Sequence, residues 1–330
     1  MTEEIHVEEE LLNSLRPCSF DEFVGQELAK KNIRTAIQAS LIRQEPLDHV
    51  LLFGPPGLGK TSLARIIASE LKTRLVSASG PALERPADLA AILSNLSYGD
   101  VLFIDEIHRT PKPVEEILYS AMEDFKLSLV SGQGIYARTV EIPLQKFTLV
   151  GATTRAGLLS SPLRDRFGIV LRLEFYSSDE LKTIVLQSAK KLGFKIDPKA
   201  AELLGQRSRG TPRIANRILK RASDYALVHR YDTITPEVVE KVCEMLQIDE
   251  NGLDWLDKKI LDTIHSQFRG GPVGLAALSA SVNEPEDTLE EVVEPYLLQQ
   301  GFLVRTQRGR MITQKAKKAL SNQKFLYSDS

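Results

Sequence analysis

The chain has 330 residues, enough for about two or three domains. Apolar residues make up 42% and charged residues 26%, the balance of an ordinary soluble globular protein. The formal net charge of −2, from 42 Lys+Arg against 44 Asp+Glu, excludes a uniformly basic coat for nucleic acid but not a local basic patch. The two cysteines, Cys18 and Cys243, lie far apart, and no two of the five histidines sit at a metal-ligand spacing. The acidic start, MTEEIHVEEE, lacks the apolar stretch of a signal peptide, and no run of about 18 apolar residues offers a membrane span. The expectation is a cytoplasmic protein with no membrane association.

In chain order, residues 1–20 read as an acidic arm ending in Leu15-Arg16-Pro17. Leu28, Ile33, Ala36, Ile37 and Leu41 fall at helical spacing over 26–43. His49-Val50-Leu51-Leu52-Phe53 is a short apolar run, a buried strand. The segment GPPGLGKT, Gly54 to Thr61, follows it. Leu63, Ile66, Ile67 and Leu71 then line one helix face. Val101–Ile104 is a second buried strand ending in Asp105-Glu106, and 113–124 reads as a helix. Residues 127–144 pattern as a hairpin with a Gly-Gln-Gly turn. A third buried strand, Phe147–Gly151, leads into Ala152-Thr153-Thr154-Arg155, and Val170–Leu173 makes a fourth. Strands alternating with helices predict a parallel α/β sheet.

Beyond Phe175 the pattern becomes all-helical, with helices expected over 178–192, 198–207, 212–230 and 235–246. From Leu253, helical stretches near 254–268 and 288–300 precede a hairpin of Gly301–Arg305 and Arg310–Thr313 with Gln307-Arg308-Gly309 at its tip. Helices followed by a hairpin with a basic tip predict a winged helix. The domains expected are 1–177, 178–250 and 251–330.

Gly54 to Thr61 fits G-x-x-x-x-G-K-[ST], with a strand before it and a helix after it. Glycines let backbone N–H groups curl around phosphate oxygens, and the helix N-terminus adds positive dipole. Lys60 is the candidate for the β/γ-phosphates and Thr61 for Mg²⁺. Asp105 is the candidate second holder of the metal, and Glu106 the candidate that orients or deprotonates the attacking water. The same acid pair also reads as a helix N-cap. Thr153 and Thr154 end the next strand, with Thr154 the preferred contact to the γ-phosphate or the water and a solvated loop threonine the plain alternative. Arginines occur in Ser161-Pro162-Leu163-Arg164-Asp165-Arg166-Phe167 and in Gly210-Thr211-Pro212-Arg213. A guanidinium can stabilise charge on a transferring phosphoryl group, but spacing alone leaves these as surface charges.

GPPGLGKT, LFIDEIHR, GATTR, SPLRDRFG and GTPRIANR, with the tail FLVRTQRGRMIT, together resemble the AAA+ ATPases of the RuvB family, the bacterial Holliday junction branch-migration motors. The resemblance runs from about Leu15 to Thr313. It implies an α/β AAA+ P-loop NTPase domain, a small all-α lid domain and a C-terminal winged-helix domain. It also implies ATP and ADP as ligands, with Mg²⁺. Gly57, Gly59, Lys60, Thr61 and Ser62 match the phosphate loop, and Leu15, Arg16 and Tyr176 match positions that frame the nucleotide. Glu123, Asp124 and Phe125 match a nucleotide-proximal segment. Arg166 matches an arginine finger acting on a neighbouring subunit, and Arg213 a second sensor acting in its own. Val140 and Ile142 match apolar contacts to the junction-binding partner RuvA. Arg305, Arg308 and Arg310 match the DNA-contacting wing. The implied assembly is a homohexamer on duplex DNA at four-way junctions, with RuvC resolvase in the larger complex.

Read without the resemblance, Val140 and Ile142 fit either a partner patch or a hairpin folded on its own core. A charged hairpin tip alone reads as solvated, but attached to a motor, phosphate contact is the better reading. An AAA+ protein remodeller or a clamp-loader-like switch would carry the same motor without needing a basic wing. A GTPase is disfavoured because no Asn-Lys-x-Asp occurs.

Overall fold

The computed structural model describes residues 14–131 and 138–322. They form two compact units: residues up to Gly54 with Leu58–Glu174, and Pro55–Gly57 with Phe175 onward. Among the described residues no helix is long and apolar enough to cross a membrane.

The first unit is built on a five-stranded parallel sheet. Its strands are β1 (Val50–Phe53), β2 (Leu75–Ser79), β3 (Val101–Asp105), β6 (Thr148–Thr153) and β7 (Ile169–Arg172), in the order β2-β3-β6-β1-β7. The three central strands are the continuous apolar runs, because each is covered on both faces. The edges are patterned differently: β2 is half-buried and β7 alternates toward solvent. Helices α1 (Glu27–Arg43), α2 (Lys60–Leu71), α3 (Pro86–Ser94) and α4 (Lys112–Glu123) accompany the sheet. One core cluster joins Leu102, Ile104 and Leu149 of the sheet to Leu89 and Leu93 of α3 and Val114, Leu118 and Ala121 of α4.

Strands β4 (Lys126–Ser131) and β5 (Arg138–Pro143) pair as a separate antiparallel hairpin, with Leu127 opposite Ile142 and Leu129 opposite Val140. The expected Gly-Gln-Gly turn lies outside the described residues. Leu127 is buried, whereas Val140 and Ile142 on the same face remain 48% and 39% exposed.

The second unit begins with four helices: α5 (Ser178–Lys191), α6 (Pro198–Arg207), α7 (Pro212–Val228) and α8 (Pro236–Met245). Each starts on a readable signal. Ser177 and Glu180 form a capping box for α5, and a proline at the first turn opens each of the other three. Then follow α9 (Trp255–Ser266), α10 (Leu275–Val282), a π-helical turn at Leu289–Val293, α11 (Glu294–Gln299), the hairpin β8 (Leu303–Thr306)–β9 (Gly309–Ile312), and α12 (Gln314–Asn322). Ile260, Ile264, Leu278, Val293, Leu297, Phe302, Ile312 and Ala316 share one core. Arg310 also bridges to Val273, which gives the hairpin a third strand position.

Candidate functional site

In the first unit, β1 runs into the glycine loop. Gly54 and Gly59 hold φ of 148° and 98°, conformations that side-chain-bearing residues adopt only with strain. A Cβ on Gly54 would lie 2.4 Å from the Leu173 carbonyl oxygen. Gly59 caps α2, so the first N–H groups of that helix face the loop. Lys60 is buried, and its ammonium donates to the Gly54 carbonyl at 2.7 Å. Thr61 and Ser62 follow on the first helical turn.

Strand β3 delivers Asp105 to the same edge of the sheet. Its Oδ1 accepts the Glu106 N–H at 3.0 Å. Glu106 turns into the left-handed region at φ 48°, and its carboxylate meets Arg109 at 3.2 Å. Strand β6 lies between β3 and β1, with Thr153 in register with Phe53. The polar end of β6 therefore emerges between the glycine loop and the acid pair. Thr153 is buried and already engaged: its Oγ1 lies 2.9 Å from His108 Nδ1 and accepts the Arg155 N–H at 3.0 Å. Thr154, next along the same strand end, is half-buried. His108 was missed in the sequence because a single histidine after an acid pair carries no spacing signal; only the fold brings it to Thr153.

Arg166 sits after a short helical turn, Ser161–Arg164, whose start is capped by Ser160. Its Nη1 donates to the Pro162 carbonyl at 2.7 Å, its Nη2 pairs with Glu123, and its guanidinium lies 5.1 Å over the Tyr119 ring. Tyr119 is held in turn by Glu115 at 3.1 Å and Ser160 at 2.9 Å. Burial pushes its phenol up, opposed by the Ser160 contact and reinforced by Glu115. Asp124 ends α4. Phe125, at φ 50°, packs edge-on against Phe147 at 5.9 Å. Leu15 is buried and Arg16 half-buried.

In the second unit, the Arg213 N–H donates to the Gly57 carbonyl at 3.4 Å, and Tyr176 is buried with its N–H on the Gly210 carbonyl at 2.9 Å. Gly57, Tyr176 and Arg213 are thus gathered around the turn that opens α7. On the wing, Arg305 and Arg310 stand directly opposite each other on β8 and β9, and both contact Glu294 and Glu290. Arg308, at the hairpin tip, is exposed and has no ion pair among the described residues.

The donor set suits a nucleotide and a hard cation. A buried ammonium and helix N–H groups suit phosphate, and a threonine hydroxyl with a strand-end carboxylate offers the oxygen ligands that Mg²⁺ takes. A P-loop α/β domain in which β6 separates the loop strand β1 from the acid strand β3, followed by a helical lid and a winged helix, defines an AAA+ ATPase. Comparison narrows the class to a family. The RuvB P-loop domain, described as that of a Holliday junction DNA helicase, matches residues 15–173; the RuvB AAA lid domain matches 176–249; the RuvB C-terminal winged helix domain matches 250–321. The chain is 55% identical over 318 residues to the Holliday junction branch migration complex subunit RuvB of Kosmotoga olearia, covering 96% of this chain and 93% of that protein. It is 58% identical over 306 residues to the same subunit of Thermotoga maritima, covering 93% and 92%. The solved structures of the T. maritima RuvB branch migration motor and of a lysine-to-arginine point mutant of it superpose with TM-scores of 0.86 and 0.87 at 56% identity, each covering 93% of this chain and 98% of that one. The chain belongs to the RuvB family.

Proposed function

We propose that this protein is the ATP-driven motor of Holliday junction branch migration: a DNA translocase that works as a homohexameric ring on duplex DNA, in the cytoplasm, with RuvA and, in the larger complex, RuvC. The observation that carries the reading is a basic winged hairpin on the same chain as an AAA+ ATPase, in relatives whose name is branch migration complex subunit. The functional parts fall at residues 1–177, 178–250 and 251–330.

In this reading Gly57, Gly59, Lys60, Thr61 and Ser62 cradle the phosphates of ATP, and Leu15, Arg16 and Tyr176 frame the nucleotide. Thr61 and Asp105 hold Mg²⁺, which when bound neutralises charge on the β- and γ-phosphates. Glu106 orients or deprotonates the attacking water, and Thr154 contacts the γ-phosphate or that water. Arg213 acts on the nucleotide of its own subunit. Arg166 reaches the nucleotide of the neighbour, and Glu123, Asp124 and Phe125 form a nucleotide-proximal segment. Arg305, Arg308 and Arg310 hold the DNA backbone. Val140 and Ile142 offer RuvA an apolar patch, which their exposure on the hairpin supports.

The test is dissociation of a synthetic four-way junction by the purified chain, with and without RuvA and with and without ATP. The expected outcome is ATP-dependent conversion to duplex arms, stimulated by RuvA. ATP hydrolysis with no effect on the junction in either mixture overturns the reading.

A further inference from the structure

The wing carries a buried carboxylate that sequence patterning does not explain. Glu294 opens α11 and is only 1% exposed. It follows a π-helical turn, an insertion that recurs at functional positions. Arg305 and Arg310 are cross-strand partners in the hairpin, and like charges directly opposite each other destabilise a sheet. Glu294 lies between them. Its Oε1 accepts Arg310 Nε at 2.6 Å. Its Oε2 accepts Arg305 Nε at 2.7 Å and Arg310 Nη2 at 3.4 Å. Glu290, one turn earlier, adds contacts of 3.1 Å to Arg305 and 3.7 Å to Arg310.

Both guanidiniums are therefore gripped along the Nε–Nη2 edge. Nη1 of each makes no hydrogen bond among the described residues. Two cations and two anions therefore cancel locally in this part of the wing.

We infer that Glu294 is a positioning residue for DNA binding: it fixes Arg305 and Arg310 so that their outer edges take successive phosphates. This inference rests on the reading that the wing holds DNA. It contrasts with a purely electrostatic view, in which Glu294 only subtracts from the attraction. The two views predict opposite signs. Neutralising Glu294 adds a positive charge to the wing, so charge alone predicts tighter binding and loss of positioning predicts weaker binding.

The experiment measures the affinity of the full-length protein for a fluorescein-labelled duplex of mixed sequence over a salt series. The variants are Glu294→Gln, Glu294→Asp, Glu286→Gln, and Arg305→Ala with Arg310→Ala. Glu294→Asp keeps the charge but is one methylene short of spanning both arginines. The expected result is roughly tenfold weaker binding for both Glu294 variants, with the salt slope reduced by about one phosphate contact. Glu286→Gln, with the same charge gain as Glu294→Gln at an exposed acid that touches neither arginine, binds at least as tightly as the native chain and keeps its slope. Native affinity in Glu294→Asp, or tighter binding in Glu294→Gln, overturns the inference. Circular dichroism and thermal melting report whether the wing is folded. If Glu294→Gln unfolds it, Glu294→Asp decides; if both unfold it, Glu294 is structural only and the inference falls. The double arginine variant separates the two levels. Undiminished DNA binding there brings down the wing reading itself, whereas weakened binding there beside a native-like Glu294→Asp brings down only the positioning role.

Discussion

Asp257 is the residue whose chemistry departs furthest from its sequence appearance. Asp254 and Asp257 look like a helix cap, and they do form a capping box on α9. The fold also buries Asp257 completely beside Arg209, with Arg209 Nη1 at 2.9 Å from its Oδ2 and at 2.7 Å from Asp254. The same guanidinium stacks 4.9 Å over Tyr296. One buried cation thus serves two carboxyls, and Oδ1 of Asp257 has no hydrogen-bond partner among the described residues. Burial pushes Asp257 up to about 8, with Arg209 opposing and Asp254 reinforcing the rise. In the unfolded chain this carboxyl ionises near its ordinary value of 3.8. A group whose folded pKa is raised contributes stability that is present below the unfolded value and is lost as pH rises through the folded one. The native protein should therefore lose stability between about pH 4 and about pH 8, by at most about 1.4 kcal/mol per pH unit from this group. Asp257→Asn keeps an acceptor for Arg209 and removes the titration. Its thermal midpoint should fall less than that of the native chain between about pH 5 and about pH 8. Parallel profiles would mean that Asp257 is ionised in the fold. The phosphate loop and the acid pair were legible because their chemistry is local in the chain. His108, Asp257 and Glu294 were not, because each acts on a residue that only folding brings near.

At the scale of elements, legibility followed burial. Strands β1, β3 and β6 are covered on both faces and read as apolar runs, and the lid helices were located to within one or two residues by period and caps. Strand β2 was invisible, since LVSAS is a half-exposed edge with neither an apolar run nor clean alternation. Helix α10 (LAALSASV) hides behind small residues, and α12 (QKAKKALSN) reads as a basic tail because among its described side chains only Ala316 and Leu320 are buried. The stretch expected as one helix over 288–300 is interrupted by the π-helical turn before Glu294. Least legible was the third strand position of the wing. It joins Val273 to Arg310, far apart in the chain, with N–H···O bonds of 2.9 and 2.8 Å. Gly309 makes that approach possible. It holds φ 130°, and a Cβ there would lie 2.3 Å from the Val273 carbonyl oxygen. Gly309→Ala should therefore shift the hairpin away from Val273 and cost about 1–3 kcal/mol, read as a lower unfolding midpoint. Gly157→Ala, where an added Cβ meets nothing within 4 Å, serves as the control and should stay within about 0.5 kcal/mol. Equal midpoints for the two variants would show that the wing relaxes around the extra atom.

For the whole molecule, the formal charge of −2 conceals a division. Residues 251–300 hold three Lys/Arg against nine Asp/Glu, and 301–330 hold seven against one. Part of that opposition is cancelled within the fold, at Glu290 and Glu294 against Arg305 and Arg310. Arg166 poses the corresponding question between molecules. In its own chain its Nη2 is paired with Glu123 and its guanidinium lies over Tyr119, a resting place that leaves it partly exposed. If the finger serves the neighbour, each active site in a head-to-tail ring combines the loop of one chain with the arginine of the next. Lys60→Ala and Arg166→Ala should then each lack hydrolysis alone, the first by losing the loop ammonium and the second by losing the finger. Mixing them creates contacts in which an intact loop faces an intact finger. With random assembly the share of such contacts is the product of the two fractions. Activity should therefore rise and fall with the mixing ratio and peak at equal amounts, where roughly a quarter of the sites are complete. Subunit exchange, followed by energy transfer between labelled chains, establishes that mixed rings form. An arginine acting within its own chain would give no recovery at any ratio, because every site would then carry one defect whatever its neighbour. Flat, absent activity in rings shown to be mixed would remove Arg166 from the neighbour's site and leave its pairing with Glu123 as its role.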